Sequence, residues 1–97
     1  MSKFLAELYV SRNNCAAVAV GWARLNGAAA DLTAEGRRVR LVRSIFVPDD
    51  ETCFVLVEAA TADDVRETAR RADVPYERVV EAAFDLEATE PHRSPSP

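Results

Sequence analysis

The sequence predicts a small α+β domain. Three observations carry that expectation: four short runs with strand periodicity, two longer runs with helical periodicity, and their order of strand, helix, strand, strand, helix, strand.

Phe4 to Val10 alternates, with Phe4, Ala6, Leu8 and Val10 on one side and Leu5, Glu7 and Tyr9 on the other, and so reads as a strand. Ser11 to Asn14 supplies turn and N-cap residues. Cys15, Val18, Trp22, Leu25, Ala29 and Leu32 then recur at three- and four-residue steps, which predicts a helix of about five turns stopped at Gly36. Gly21 and Gly27 each weaken that helix by about 1 kcal/mol relative to Ala. Packing must therefore hold it, and a glycine there is expected to mark a close backbone approach.

Val39 to Val47 and Thr52 to Ala59 are β-branched and aromatic runs on either side of Pro48-Asp49-Asp50-Glu51, a hairpin with a four-residue turn. Thr61 followed by Asp64 reads as a capping box with Asp in place of Glu, and Ala62, Val65, Ala69 and Ala72 form the buried stripe of the second helix. Asp63 and Asp64 at its start and Arg70 and Arg71 at its end suit the helix dipole. Val74-Pro75 breaks it, and Arg78 to Leu86 reads as the last strand. Glu87 to Pro97 has nothing apolar to bury and reads as a disordered tail, leaving residues 1–86 as the domain. The element order is that of a ferredoxin-like βαββαβ sandwich: a four-stranded antiparallel sheet with both helices on one face.

Period-two counting assigns the two faces. With Val47 opposite Thr52, Ile45 faces Phe54, Arg43 faces Leu56 and Leu41 faces Glu58. The alternate set, Val42, Ser44, Phe46, Cys53, Val55 and Val57, joins Phe4, Ala6, Leu8, Val10, Val80, Ala82 and Phe84 under the helices. The open face then carries Leu5, Glu7, Tyr9, Leu41, Arg43, Ile45, Phe54, Leu56, Glu58, Val79, Glu81 and Ala83, too apolar for a plain solvent face. In the expected strand order Glu81, Glu7, Glu58 and Arg43 form a row. Two readings stand: Arg43 pairs with Glu58 or Glu7 in a wet dimer interface, or the crowded carboxylates recruit a cation or ligand. On the second, Glu7, Tyr9, Arg43, Glu58 and Glu81 bind the ligand, and Glu7, Glu58 and Glu81 are the metal donors.

Composition narrows the function classes. Asp and Glu outnumber Lys and Arg by 16 to 12, a net charge of −4, which argues against nucleic acid or an anionic bilayer as the main partner. Arg37, Arg38, Arg40 and Arg43 cluster, but Glu35 and the run Asp49 to Glu51 lie close by, as on a solvated rim. No apolar run reaches the roughly 20 residues of a membrane span, and Met1-Ser2-Lys3-Phe4 runs straight into a strand without a signal-peptide core, so a cytoplasmic protein is expected. Cys15 and Cys53, far apart, read as buried small hydrophobes in a reducing compartment. The only histidine, His92, is in the tail and offers a Cys nucleophile no base.

The stretch Val42 to Phe54, then Glu58-Ala59, then Arg70 to Ala82, resembles the DUF4242 family of small proteins, which includes a nickel-binding protein, and the resemblance spans about residues 4–86. It implies a ferredoxin-like homodimer of cytoplasmic type, with nickel as the divalent metal. The residues leave carboxylates, Tyr9 and Cys53 as donors, since the domain has no imidazole. The expected function is a small dimeric ligand- or metal-binding protein with its pocket on the open sheet face. The alternative is a cofactor-independent cyclase, isomerase or monooxygenase-like enzyme of the dimeric α+β barrel type. Glu7, Glu58 or Glu81 would then be its general base and Arg43 or Tyr9 its oxyanion partner.

Overall fold

The computed structural model describes residues 1–83; Phe84 to Leu86 of the expected last strand and the expected tail Glu87 to Pro97 lie outside them. Within the described residues the chain forms β1 (Ser2–Tyr9), α1 (Ala16–Ala34), β2 (Val39–Val47), a 3-10 turn (Pro48–Asp50), β3 (Thr52–Ala59), α2 (Ala62–Arg71) and β4 (Arg78–Ala82). The strands make one antiparallel sheet in the order β2-β3-β1-β4, with both helices on one face, as the element order predicts for a ferredoxin-like fold. Among the described residues no helix is long and apolar enough to cross a membrane.

The core lies between that face and the helices. Phe4, Ala6 and Leu8 of β1 and Cys53, Val55, Val57 and Ala59 of β3 meet Leu25, Ala28, Ala29 and Leu32 of α1 and Val65 and Ala69 of α2. Cys53 is a buried small hydrophobe, as expected. Cys15 is exposed, a correction: it occupies the N-cap of α1, one step outside the helix, and makes no side-chain cap bond. Ser11 supplies the turn chemistry instead, its Oγ accepting from the Asn13 N–H at 3.2 Å.

Both helices end the same way. After α1 the Gly36 N–H donates to the Thr33 carbonyl and the Arg37 N–H to the Leu32 carbonyl, with Gly36 at φ 92°. After α2 the Asp73 N–H donates to Arg70 and the Val74 N–H to Ala69, with Asp73 at φ 57°. Thr61 caps α2 as expected, accepting from the Asp64 N–H at 3.2 Å. The reciprocal half of the capping box is replaced: the Asp64 carboxylate receives the Arg37 guanidinium at 2.7 Å, tying the loop after α1 to the start of α2.

At the other end of α2, Arg71 grips the Glu35 carboxylate at 2.7 and 3.0 Å and also donates to Glu67, which Arg70 bonds as well. Hydrogen bonds from Arg70 and then Arg71 push the Glu67 carboxyl down to about 2. The hydrogen bond from Arg71 likewise holds Glu35 below the usual carboxylate range.

Two strand registers differ from the alternation count. In β2 the pairing shifts between Leu41 and Arg43: Leu41 lies opposite Val57, and Arg40 lies opposite Glu58. The cause is parity. Val39 is buried and Val47 pairs with Thr52 on the open face, yet the two are eight residues apart and in a regular strand would share a face. One extra residue, the bulge at Val42, reconciles them. In β4, Phe4 pairs with Glu81 and Leu5 with Val80, so Val79 and Glu81 fall on the helix side, and Val80 and Ala82 on the open side, the reverse of the expectation. Val79 packs against the core, and the Glu77 N–H donates to the Glu7 carbonyl at 2.7 Å. Those two contacts set the register where adjacent valines leave the alternation ambiguous.

The expected close approach at the α1 glycines is not there: a Cβ built on Gly21 or Gly27 meets no atom within 4 Å. Gly27→Ala should therefore gain the full helix-propensity difference, about 1 kcal/mol or roughly 4–8 °C in Tm, measured by thermal denaturation. Glu67 gives a second test. Its folded pKa lies below the ordinary 4.5, so its contribution is complete above about pH 4.5 and is lost as pH falls toward about 2. Tm should decline through that window, and Glu67→Gln should make the decline shallower.

Candidate functional site

The pairings arrange the open face in rows that run across the sheet from β4 to β2. One row is Arg78, Glu7, Phe54 and Ile45; the next is Val80, Leu5, Leu56 and Arg43; the third is Ala82, Lys3, Glu58 and Arg40; Tyr9, Thr52 and Val47 close the β2-β3 turn end. Leu5, Phe54, Leu56 and Val80 are half-buried, while Ile45 and Tyr9 are more than half exposed, at 51% and 58%. The result is an apolar band with an ionic group at either end.

Glu7 bonds Arg78 Nε at 3.0 Å. Glu58 accepts from Arg40 Nε at 2.9 Å, with Lys3 Nζ at 3.5 Å. The hydrogen bond from Arg40 is the main cause that holds the Glu58 carboxyl below its usual range, against the opposing effect of burial, and Lys3 adds to it. The same bond raises the already high pKa of Arg40. Arg43 is exposed and makes no ion pair among the described residues.

Of the five residues expected to form one site, Glu7, Tyr9, Arg43 and Glu58 share the open face. Glu81 does not: the β4 register places it opposite Phe4, on the helix side of an edge strand, where it is exposed. Glu7 and Glu58 are four residues apart along the strand direction, about 13 Å at the usual rise, and each has its own cation. Among the described residues the expected acidic row is absent, and their open face carries four cations, Lys3, Arg40, Arg43 and Arg78, against two carboxylates. Among the described residues no three His, Cys, Asp or Glu side chains gather closely enough to hold a metal ion.

Arg40, Arg78 and Lys3 escaped the alternation count. Lys3 lay one residue before the expected strand; Arg40 and Arg78 were lost to the bulge and the shifted register. Because Arg40 is the principal cause of the low Glu58 pKa, Arg40→Ala should raise the Glu58 titration toward 4.5, as read by carboxyl-detected NMR.

A profile of the family described as "Nickel responsive protein SCO4226-like" matches residues 9–82. No curated protein and no solved structure matches. The matched stretch runs from the end of β1 through β4 and takes in the hairpin and the helix break that carry the resemblance seen in the sequence, so the chain belongs to the nickel-responsive SCO4226-like family.

Proposed function

We propose that this is a cytoplasmic homodimer that binds a small anionic ligand between two open sheet faces. The observation that carries the reading is the apolar band of half-buried Leu5, Phe54, Leu56 and Val80 with exposed Ile45, on the side away from both helices and covered by no other element among the described residues. Exposed apolar surface of this kind marks an interface or a ligand groove. A two-fold contact joins the same patch on each copy, so two Arg43 guanidiniums enter one apolar interface. Glu7 and Glu58 are already engaged by Arg78 and by Arg40 with Lys3. A charge enclosed without a partner is costly, and an anionic ligand supplies the missing one. Tyr9, exposed at the end of β1, offers a phenolic donor to the same ligand.

Nickel is a separate matter. Nickel(II) favours imidazole and thiolate donors, and the open face offers two carboxylates held by cations and well apart. The described residues of one chain therefore do not fit a nickel centre, and His92 lies outside them. Glu7 and Glu58, each held by its own cation, and Glu81, on the other side of the sheet, do not form a nickel site. Calorimetric titration of the full chain with nickel should give the same curve for wild type, Glu7→Gln and Glu58→Gln; a loss in either variant would restore the carboxylates as donors.

Sedimentation equilibrium at micromolar concentration should give twice the 10.7 kDa chain mass for the wild type and one chain mass for Phe54→Glu. Arg43→Ala should stay dimeric but lose any small molecule that the purified wild type retains in native mass spectrometry. A monomeric wild type would overturn the proposal.

A further inference from the structure

A second recess lies on the opposite side of the sheet and shares with the open face only Tyr9, at the end of β1. A cavity of about 190 Å3 sits between the first half of α1, the strands, and the turn from α2 to β4. Its wall is mainly apolar, with Leu8, Val10, Val18, Trp22, Leu25 and Val55. Tyr9, Arg24 and Asp73, which also line it, are exposed, so their polar ends remain in water. The polar exceptions within are Ser44 and Cys53, whose Oγ and Sγ are 3.1 Å apart. Cys53 is 2% exposed and Ser44 half-buried.

Gly21 also lines the cavity, in the interior of α1, and a Cβ there meets nothing within 4 Å. Close packing therefore does not require glycine at this position; the missing side chain leaves room. Unfilled apolar volume and an interior helical glycine both destabilise a fold. A ligand that fills the space removes the first of these penalties.

We infer that this cavity is a binding site for a small monocyclic apolar molecule bearing one hydroxyl group, of the phenol class. The size follows from the volume: an apolar cavity of about 150 Å3 holds benzene, so this one accepts a ring with one or two substituents, about seven to nine non-hydrogen atoms. The ring preference follows from Trp22, since aromatic pairs gain from edge-to-face and offset contact. The hydroxyl follows from Ser44, which has one donor and two acceptor lone pairs and uses one of these toward Cys53, leaving the rest for a ligand.

Trp22 is the only tryptophan of the chain and reports directly on occupancy. Its fluorescence, excited at the red edge, should change saturably with p-cresol, with half-saturation below about 1 mM. Toluene should bind at least fivefold more weakly, and Ser44→Ala should bring the two probes level. Gly21→Leu should fill the cavity and abolish both responses, with a melting temperature equal to or above that of wild type. If that variant does not fold, Val18→Phe serves as the plug. Phe54→Glu, which breaks the proposed dimer, should bind p-cresol as wild type does, so the two proposals fail separately. A linear, unsaturable response in the wild type, unchanged binding in a folded plugged variant, or equal affinity for toluene and p-cresol would overturn the inference.

Discussion

A sheet residue faces one side or the other by parity, and in this protein two points decide the parity for everything else. One is the bulge at Val42. Thr33 at the end of α1 accepts from the Val39 N–H at 3.1 Å and donates to its carbonyl at 3.2 Å, so the start of β2 is pinned beneath the helix. The turn at Pro48–Asp50 pins the other end with Val47 opposite Thr52. Between two fixed ends of the wrong parity the strand must take in an extra residue, and Arg40 gains its place beside Glu58 as a consequence. The second point is the entry to β4, where the Glu77–Glu7 backbone bond and the burial of Val79 put Arg78 over Glu7 and turn Glu81 away.

Most of the architecture was legible because most elements carry a local signal that tertiary structure does not override. Pro48 and its acids mark the hairpin, Thr61 and Gly36 mark helix ends, and β1 and β3 alternate cleanly enough that their buried and open sets agree residue for residue with the sequence reading. The failures fall where two apolar residues adjoin. Leu41-Val42 and Val79-Val80 satisfy either register equally well, and only long-range contacts choose. The candidate site inherits this directly: Glu7, Tyr9, Arg43 and Glu58 lie on strands or segments whose parity was readable, while Glu81, Arg40 and Arg78 lie where it was not.

The two faces of the sheet differ in kind. The helix side is close-packed, with Leu32, Val55 and Thr68 almost wholly enclosed, and the recess beside Trp22 is mainly apolar. The open side is an apolar strip bordered by cations on a chain whose net charge is −4. Local and global charge thus have opposite sign: the net charge of one copy repels another at long range, a repulsion that salt weakens within about 10 Å at 0.1 M, while the described part of the open face is locally cationic. The ionic cluster of Glu35, Glu67, Arg70 and Arg71 has a different role, since it joins α1 to α2 at the ends of the helices and contributes to neither face.

The strand order has a consequence for how the chain is made. β1 precedes the other three strands of the sheet in the chain, yet it occupies an interior position, and both its neighbours, β3 and β4, come from the later half of the sequence. During translation its apolar residues and its two rows of backbone donors and acceptors wait without a partner until residue 52 and beyond have left the ribosome. The β2-β3 hairpin, closed by a short turn, can form first and then offer β1 an edge to join. The nascent chain is thus most prone to aggregate in the interval before β3 emerges, when an exposed eight-residue strand resembles the unpaired edges that mature proteins cover.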